Sequence, residues 1–279
     1  MNSPEKSVTL EYWLVNARSA TKDTNPNAPD LIARKVLKLS KPELISKSKE
    51  LKLSKKNYLK LNNLLGKVLS GRPLSAALKH TQFHNIKLKI NSKVLSPRAE
   101  TEELVEYAIK NIPNSATVLD VGTGTGAIGL SLAKARPDLR LILTDLQSST
   151  LNLAKLNARK NRISSAEFKQ SNLIKFFDQK DIQNSFFLAN LPYVNKNWPK
   201  VEMSKLKFEP HSALFAKKDG LQIIYNLLDE IHSKNLLSKN NWILLEHDPK
   251  QFTNLTKYCS SLNYSTQKIS DFITLVKLK

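Results

Sequence analysis

Residues Val118-Leu-Asp-Val-Gly-Thr-Gly-Thr-Gly126 set three glycines within five positions, directly after a short apolar run. Glycine tolerates the positive φ angles of a tight turn, and a helix that starts there presents unpaired N–H groups. The segment therefore predicts a strand at Thr117–Val121, a turn, and a helix running through Ala135. Such a turn lets a nucleotide-like ligand lie close against the main chain. Gly124, Gly126 and Gly129 also satisfy G-x-G-x-x-G, so the glycines alone admit NAD as well as S-adenosylmethionine. Asp145, ending the next strand, stands where an acidic side chain holds ribose hydroxyls. Asp120 favours S-adenosylmethionine, because an acid just before the turn suits a cationic methionine moiety better than a pyrophosphate.

Downstream of position 97 the pattern alternates. Leu141–Thr144, Phe186–Ala189 and Trp242–Leu245 read as buried strands; Leu151–Ala158, Leu221–Leu228 and the segment after Pro249 read as helices. The tail 263–278 reads as a terminal hairpin. This order predicts an α/β fold with a mostly parallel sheet covered on both faces. Upstream, apolar residues recur at helical spacing in three sets: Leu10, Trp13, Leu14 and Ala17; Leu31, Ile32, Val36 and Leu39; Leu59, Leu64, Leu65 and Val68. Pro26, Pro29 and Pro42 punctuate them. Ile86, Leu88 and Ile90 alternate with Lys87 and Lys89 ahead of Asn91-Ser92 and Val94-Leu95, which reads as a short hairpin. The expected organisation is a helical domain over 1–78, a hairpin linker over 79–96 and an α/β domain over 97–279.

Asn190-Leu191-Pro192-Tyr193 follows the strand Phe186–Ala189, at the carboxyl end where open α/β sheets bind ligands. A planar NH2 group carries two N–H donors, which the Asn190 side-chain oxygen and a main-chain carbonyl, that of Leu191, are suited to accept. Pro192 biases Leu191 towards an extended conformation that aims this carbonyl. Tyr193 is placed to stack on the planar group. The quartet contains no strong base, so placement and polarisation do the work.

The 279 residues carry 44 Lys and Arg against 24 Asp and Glu, net +20. Residues 1–96 hold 19 of the basic and 6 of the acidic side chains, so the first third is the more basic part. That balance points to a phosphate-rich or acidic partner, RNA or the ribosome among them, or to lysines that merely solvate helices. No apolar run approaches the roughly 18–20 residues of a membrane span, and Glu11 interrupts the one apolar stretch near the start. Cys259 stands alone, which excludes an internal disulfide and a cysteine-based zinc site. A cytoplasmic protein and a monomer are expected, with no metal.

The glycine turn and the NLPY quartet resemble those of class I methyltransferases acting on exocyclic or amide nitrogen. Pro97-Arg-Ala-Glu-Thr-Glu102 with Leu104-Val105, Phe208-Glu209-Pro210 with Ala213-Leu214 and Asp219-Gly220, and Leu244-Leu-Glu-His247 narrow this to the HemK-type release-factor glutamine methyltransferases. The resemblance covers essentially the whole chain. It implies a Rossmann-like domain preceded by a helical one that recognises a protein partner. It also implies S-adenosylmethionine-dependent methylation of the glutamine amide in the Gly-Gly-Gln loop of peptide-chain release factors. Carried over by position, Gly122, Thr123, Gly124, Thr125 and Gly126 would cradle the methionine part and Asp145 the ribose. Asn172 and Leu173 would border the adenine, and Asn190 to Tyr193 would hold the glutamine amide.

The chain departs from that family's pattern at three places. Leu191 replaces the commoner proline, leaving the backbone carbonyl in place; NLPY is also the form of ribosomal-RNA adenine dimethyltransferases. Asn172 replaces an aspartate, keeping an oxygen acceptor without the charge. Asp271-Phe-Ile-Thr-Leu-Val lacks the usual glycine and arginine near the end. Methylation of an adenine in ribosomal RNA, of a glutamine in a ribosomal protein, and a non-catalytic binding module are the alternative readings. Lesser signals carry less. His80 and His84 have helical ligand spacing but no third ligand. His247 reads as a local hydrogen-bonding group, and Glu100, Glu102, Glu103 and Glu106 open a helix. Trp198 and Phe208 flank a loop that either faces substrate or packs down.

Overall fold

A computed structural model describes residues 8–199 and 209–279. The chain divides into two compact units, Met1–Lys79 and His80–Lys279.

Among the described residues of the first unit, five helices form: α1 (Leu10–Thr21), α2 (Ala28–Leu37), α3 (Lys41–Lys47), α4 (Lys55–Leu69) and α5 (Leu74–Leu78). Their starts are written locally. Thr9 accepts from the Tyr12 N–H, Ser54 accepts from that of Asn57, and Ser40 with Glu43 closes a capping box. Leu10, Trp13, Leu14, Ile32 and Leu61 fill the core. Leu31 and Leu59, expected among the apolar stripes, face outward, and Leu61 takes the inner place on α4.

The second unit opens with a hairpin, β1 (His80–Phe83) and β2 (Ile86–Lys89). It turns at His84-Asn85, earlier than the Asn91-Ser92 turn read from sequence; Phe83 pairs with Ile86 across it. The hairpin is held to its own unit through α8, Ser148–Lys160. Asn157 accepts from the Lys89 N–H at 2.8 Å and donates to the carbonyls of Lys89 and Thr125.

Seven strands make the central sheet: β3 (Thr117–Val121), β4 (Arg140–Asp145), β5 (Ala166–Gln170), β6 (Phe186–Ala189), β9 (Ile243–Glu246), β10 (Tyr264–Lys268) and β11 (Ile273–Leu278). Their order is β10-β11-β9-β6-β3-β4-β5. The five strands from β9 to β5 run parallel; β11 is antiparallel to both β9 and β10. This is the mixed α/β, Rossmann-like arrangement expected, with the terminal hairpin in place. Strand β5, and a short parallel pair β7 (Val194–Asn195) and β8 (Phe215–Ala216), had no legible sequence signal.

Side-chain alternation builds one core on each sheet face. Val118, Leu141, Leu143, Phe186, Leu188 and Leu244 face α6 (Glu100–Asn111) and α7 (Ala127–Ala135). Leu119, Val121, Ile142, Phe187, Ile243 and Leu245 face α9 (Gln222–Ser233) and α10 (Phe252–Ser261). The register decides where chemistry can occur. Thr144, Val121, Ala189 and Leu245 share one row, so Asp145, Gly122, Asn190 and Glu246 all lie one residue beyond it. The strand order reverses between β3 and β6, which opens a crevice at that row.

Candidate active site

The turn after β3 is held by backbone geometry. Gly122, Gly124 and Gly126 have φ of +73°, +58° and +84°. Gly126 caps α7, where a Cβ would fall 2.6 Å from Leu130. The Gly124 N–H donates to Asp145 Oδ2 at 3.1 Å, and the Gln147 N–H donates to the same side chain's Oδ1 at 3.0 Å. Burial raises the Asp145 pKa.

Asp120 does not face the crevice. It is 1% exposed, and its Oδ2 accepts from the Thr123 hydroxyl at 2.5 Å and the Gly129 N–H at 2.8 Å. Burial lifts its pKa to about 6. Asp120, expected to contact the cofactor, is absent from the wall of the cavity in front of the turn: its Oδ2 clamps the turn from behind, and its Oδ1 is buried without a hydrogen-bond partner.

A cavity of about 260 Å³ lies in front of the turn. Gly122, Thr123, Gly124, Thr125, Asp145, Asn172, Leu173, Asn190, Leu191 and Pro192 all line it; Gly126 is not part of its wall. Leu173 has a φ of +53°, an uncommon value for a leucine, in the segment after β5. Among the described residues, a second cavity of about 280 Å³ shares Leu95, Asn190, Leu191 and Ala213 with the first. Tyr193, Trp198, Arg98 and Glu246 complete much of its wall. Asn190 thus stands where the two spaces meet.

The surroundings of Asn190 are polar and buried. Its Nδ2 donates to Thr101 Oγ1 at 3.1 Å, and its Oδ1 is buried without a hydrogen-bond partner. The Thr101 hydroxyl donates to Glu246 Oε2 at 2.6 Å, and the Tyr193 hydroxyl to Glu246 Oε1 at 3.1 Å. Burial pushes the Glu246 carboxyl up to about 7 against the pull of these hydrogen bonds. Burial and the adjacent carboxylate raise the Tyr193 phenol, which stays protonated. An orphaned buried acceptor is costly unless something donates to it.

A match to the family model described as Methyltransferase small domain spans residues 99–227. The Release factor glutamine methyltransferase of Vibrio cholerae is 32% identical over 263 residues, 92% of this chain and 91% of its own length. That of Buchnera aphidicola subsp. Schizaphis graminum is 31% identical over 260 residues, 92% of each chain. The chain belongs to the release factor glutamine methyltransferase family. Among solved structures, the hMettl16 catalytic domain in complex with MAT2A 3'UTR hairpin 1 superposes with a TM-score of 0.52. It is 15% identical and covers 75% of this chain and 78% of that one, a likeness of fold.

Within this glutamine methyltransferase family member, two site residues were not assigned from sequence. Thr101 and Glu246 sit in the PRAETE and LLEH segments; the register of β9 beside β6 brings Glu246, and the packing of α6 brings Thr101, to Asn190. Glu209 of the FEP segment is buried and accepts from Arg98 Nη2 at 3.2 Å, so one further segment is tied to the wall of the second cavity. Trp198 lines that cavity; Phe208 lies outside the described residues. His247 bonds locally, to the Asp248 carbonyl and the Thr274 hydroxyl. His80 starts β1 and His84 contacts Glu106, so the two do not share a helix face. Groups able to hold a metal are absent among the described residues, and no described helix is long and apolar enough to cross a membrane.

Proposed function

We propose that this chain transfers a methyl group from S-adenosylmethionine to the side-chain amide nitrogen of the glutamine in the Gly-Gly-Gln loop of a release factor. The observation that carries the reading is Asn190 Oδ1: a buried, unpartnered acceptor at the junction of two cavities. An amide NH2 is the donor it lacks.

The first cavity fits the cofactor on its own terms. The glycine turn leaves the main chain bare at Gly122 and Gly124, and Asp145 is anchored at its rim with oxygens suited to ribose hydroxyls. Asn172 and Leu173 border the far end, for the adenine. Bound there, S-adenosylmethionine would supply an electrophilic sulfonium methyl; on transfer the C–S bonding pair would stay on sulfur and the amide nitrogen would lose one proton to water. Asn190 Oδ1 accepts from the NH2 and enriches its nitrogen, and the Leu191 carbonyl is the second acceptor. The Leu191 side chain packs against Gly122, and Tyr193 offers its ring to the amide plane from the second cavity. Pro192 sets the backbone between them.

We read the release factor as the partner and assign its recognition to the helical first unit. Its surplus of Lys and Arg supports an added weak contact with RNA on the ribosome. A cytoplasmic monomer is consistent with that partner. The test is methyl-labelled cofactor offered to a release factor, to the same factor with its loop glutamine changed to alanine, and to ribosomal RNA. Label on the intact factor alone supports the assignment. Label on RNA alone transfers it to an adenine amino group, and cofactor binding without transfer indicates a binding module.

A further inference from the structure

An asparagine amide has two ends, and only its oxygen accepts hydrogen bonds. Which end of Asn190 meets the substrate is decided behind it. An ionised Glu246 has acceptors only, and both are in use: Oε2 takes the Thr101 hydroxyl proton and Oε1 that of Tyr193. Having given its one proton away, the Thr101 oxygen is left to accept, and it accepts from Asn190 Nδ2. Oδ1 is thereby turned to the cavities without a protein donor. A flipped Asn190 would put two acceptors face to face at Thr101 and present NH2 to the NH2 of the substrate.

We propose that Thr101 and Glu246 are positioning residues that fix the hydrogen-bond polarity of Asn190, so that its acceptor end faces the substrate nitrogen. Neither touches the substrate amide in this scheme: Thr101 acts through Asn190, and Glu246 acts through Thr101 and through its own attraction for the Asn190 NH2. The assignment rests on the amide-methylating reading above. The groups around Glu246 are Tyr193 and Asn190 from the loop after β6, Thr101 and Glu100 from α6, Arg98 in the shared cavity wall, and Asp248 near Tyr193. Protonation would reverse the chain of bonds. A neutral Glu246 can donate to Thr101, freeing the threonine proton to turn towards Asn190 and favour the flipped amide. Burial places that transition near neutral pH.

The experiment compares wild type with Thr101→Val, Thr101→Ser and Glu246→Gln, reading kcat and KM on a release factor and cofactor affinity by calorimetry. Thr101→Val keeps the side-chain shape and removes the hydroxyl. It is expected to lose roughly 10–100-fold in kcat while the cofactor Kd stays within about threefold. Thr101→Ser is expected to recover most of that loss. Wild-type kcat should fall as pH drops below about 7, and Glu246→Gln should abolish that acid limb. Normal kcat in Thr101→Val, or an acid limb unchanged in Glu246→Gln, overturns the proposal. Wild type that labels RNA and not the factor overturns the amide reading instead, and the valine-to-serine comparison on that RNA then judges the polarity by itself.

Discussion

Gly122 and Leu191 meet where the two motifs join: a Cβ built on Gly122 would fall 2.7 Å from Leu191 Cδ2. The turn that faces the cofactor cavity and the quartet that faces both cavities are thus packed directly against each other. Their strands are neighbours in register, with Val121 opposite Ala189, so this contact follows from the pairing of β3 with β6.

Gly122→Ala is expected to damage both motifs at once. At a φ of +73° a side chain costs about 1–2 kcal/mol of backbone strain, and the new methyl must displace Leu191. Cofactor affinity should fall and melting should drop by a few degrees, read by calorimetry and thermal denaturation. Wild-type values for both would mean that the turn is not held as tightly as this contact implies.

Asn190→Ala removes the acceptor and leaves the glycine turn untouched. We expect kcat to fall by roughly 10²–10³-fold, the usual scale for loss of one preorganised polar contact at a reacting group. Cofactor binding should largely persist. Normal turnover by this variant would remove Asn190 from the mechanism.

Gly220→Ala tests the loop behind Tyr193. A Cβ there would sit 2.0 Å from the Tyr193 carbonyl oxygen, at a φ of +89°. Gln251 Nε2 donates to that same carbonyl and to the Asp219 carbonyl, each at 2.7 Å. The glycine variant should lose kcat through a displaced Tyr193. Gln251→Ala should lose about 1–3 kcal/mol of stability, because two carbonyls lose their donor. Denaturant melts and steady-state rates separate the two effects; equal stability of Gln251→Ala and wild type would contradict the second.

The pH dependence of stability has a definite sign. Glu246 is raised by burial from 4.5 to about 7, so the folded protein binds this proton more tightly than the unfolded chain does. Its contribution is fully present below the unfolded value and is lost as pH rises through about 7. His247, whose pKa is lowered by burial, works in the opposite sense, so the informative quantity is a difference. The melting temperature of Glu246→Gln minus that of wild type should grow between about pH 5 and 8. A difference that shrinks over that range would show that Glu246 is not held in a desolvated site.

Much of this protein was legible along the chain. The glycine turn, the alternation of Phe186–Ala189 and its neighbours, and the Asn-Leu-Pro-Tyr quartet are local signals, each dictated by backbone sterics or side-chain period over a few residues. They marked the α/β fold, the cofactor turn and the acceptor. Tertiary structure decided what depends on distance in sequence. Thr101 and Glu246 lie 145 positions apart, yet share a hydrogen bond because β9 pairs with β6 and α6 packs over them. Asp120 looked like a ligand for the same reason in reverse: sequence shows that an acid precedes the turn, whereas only the packed strand shows its side chain pointing behind it. Local sterics act through neighbouring residues; the direction of a buried polar side chain is set by partners that folding alone brings into reach.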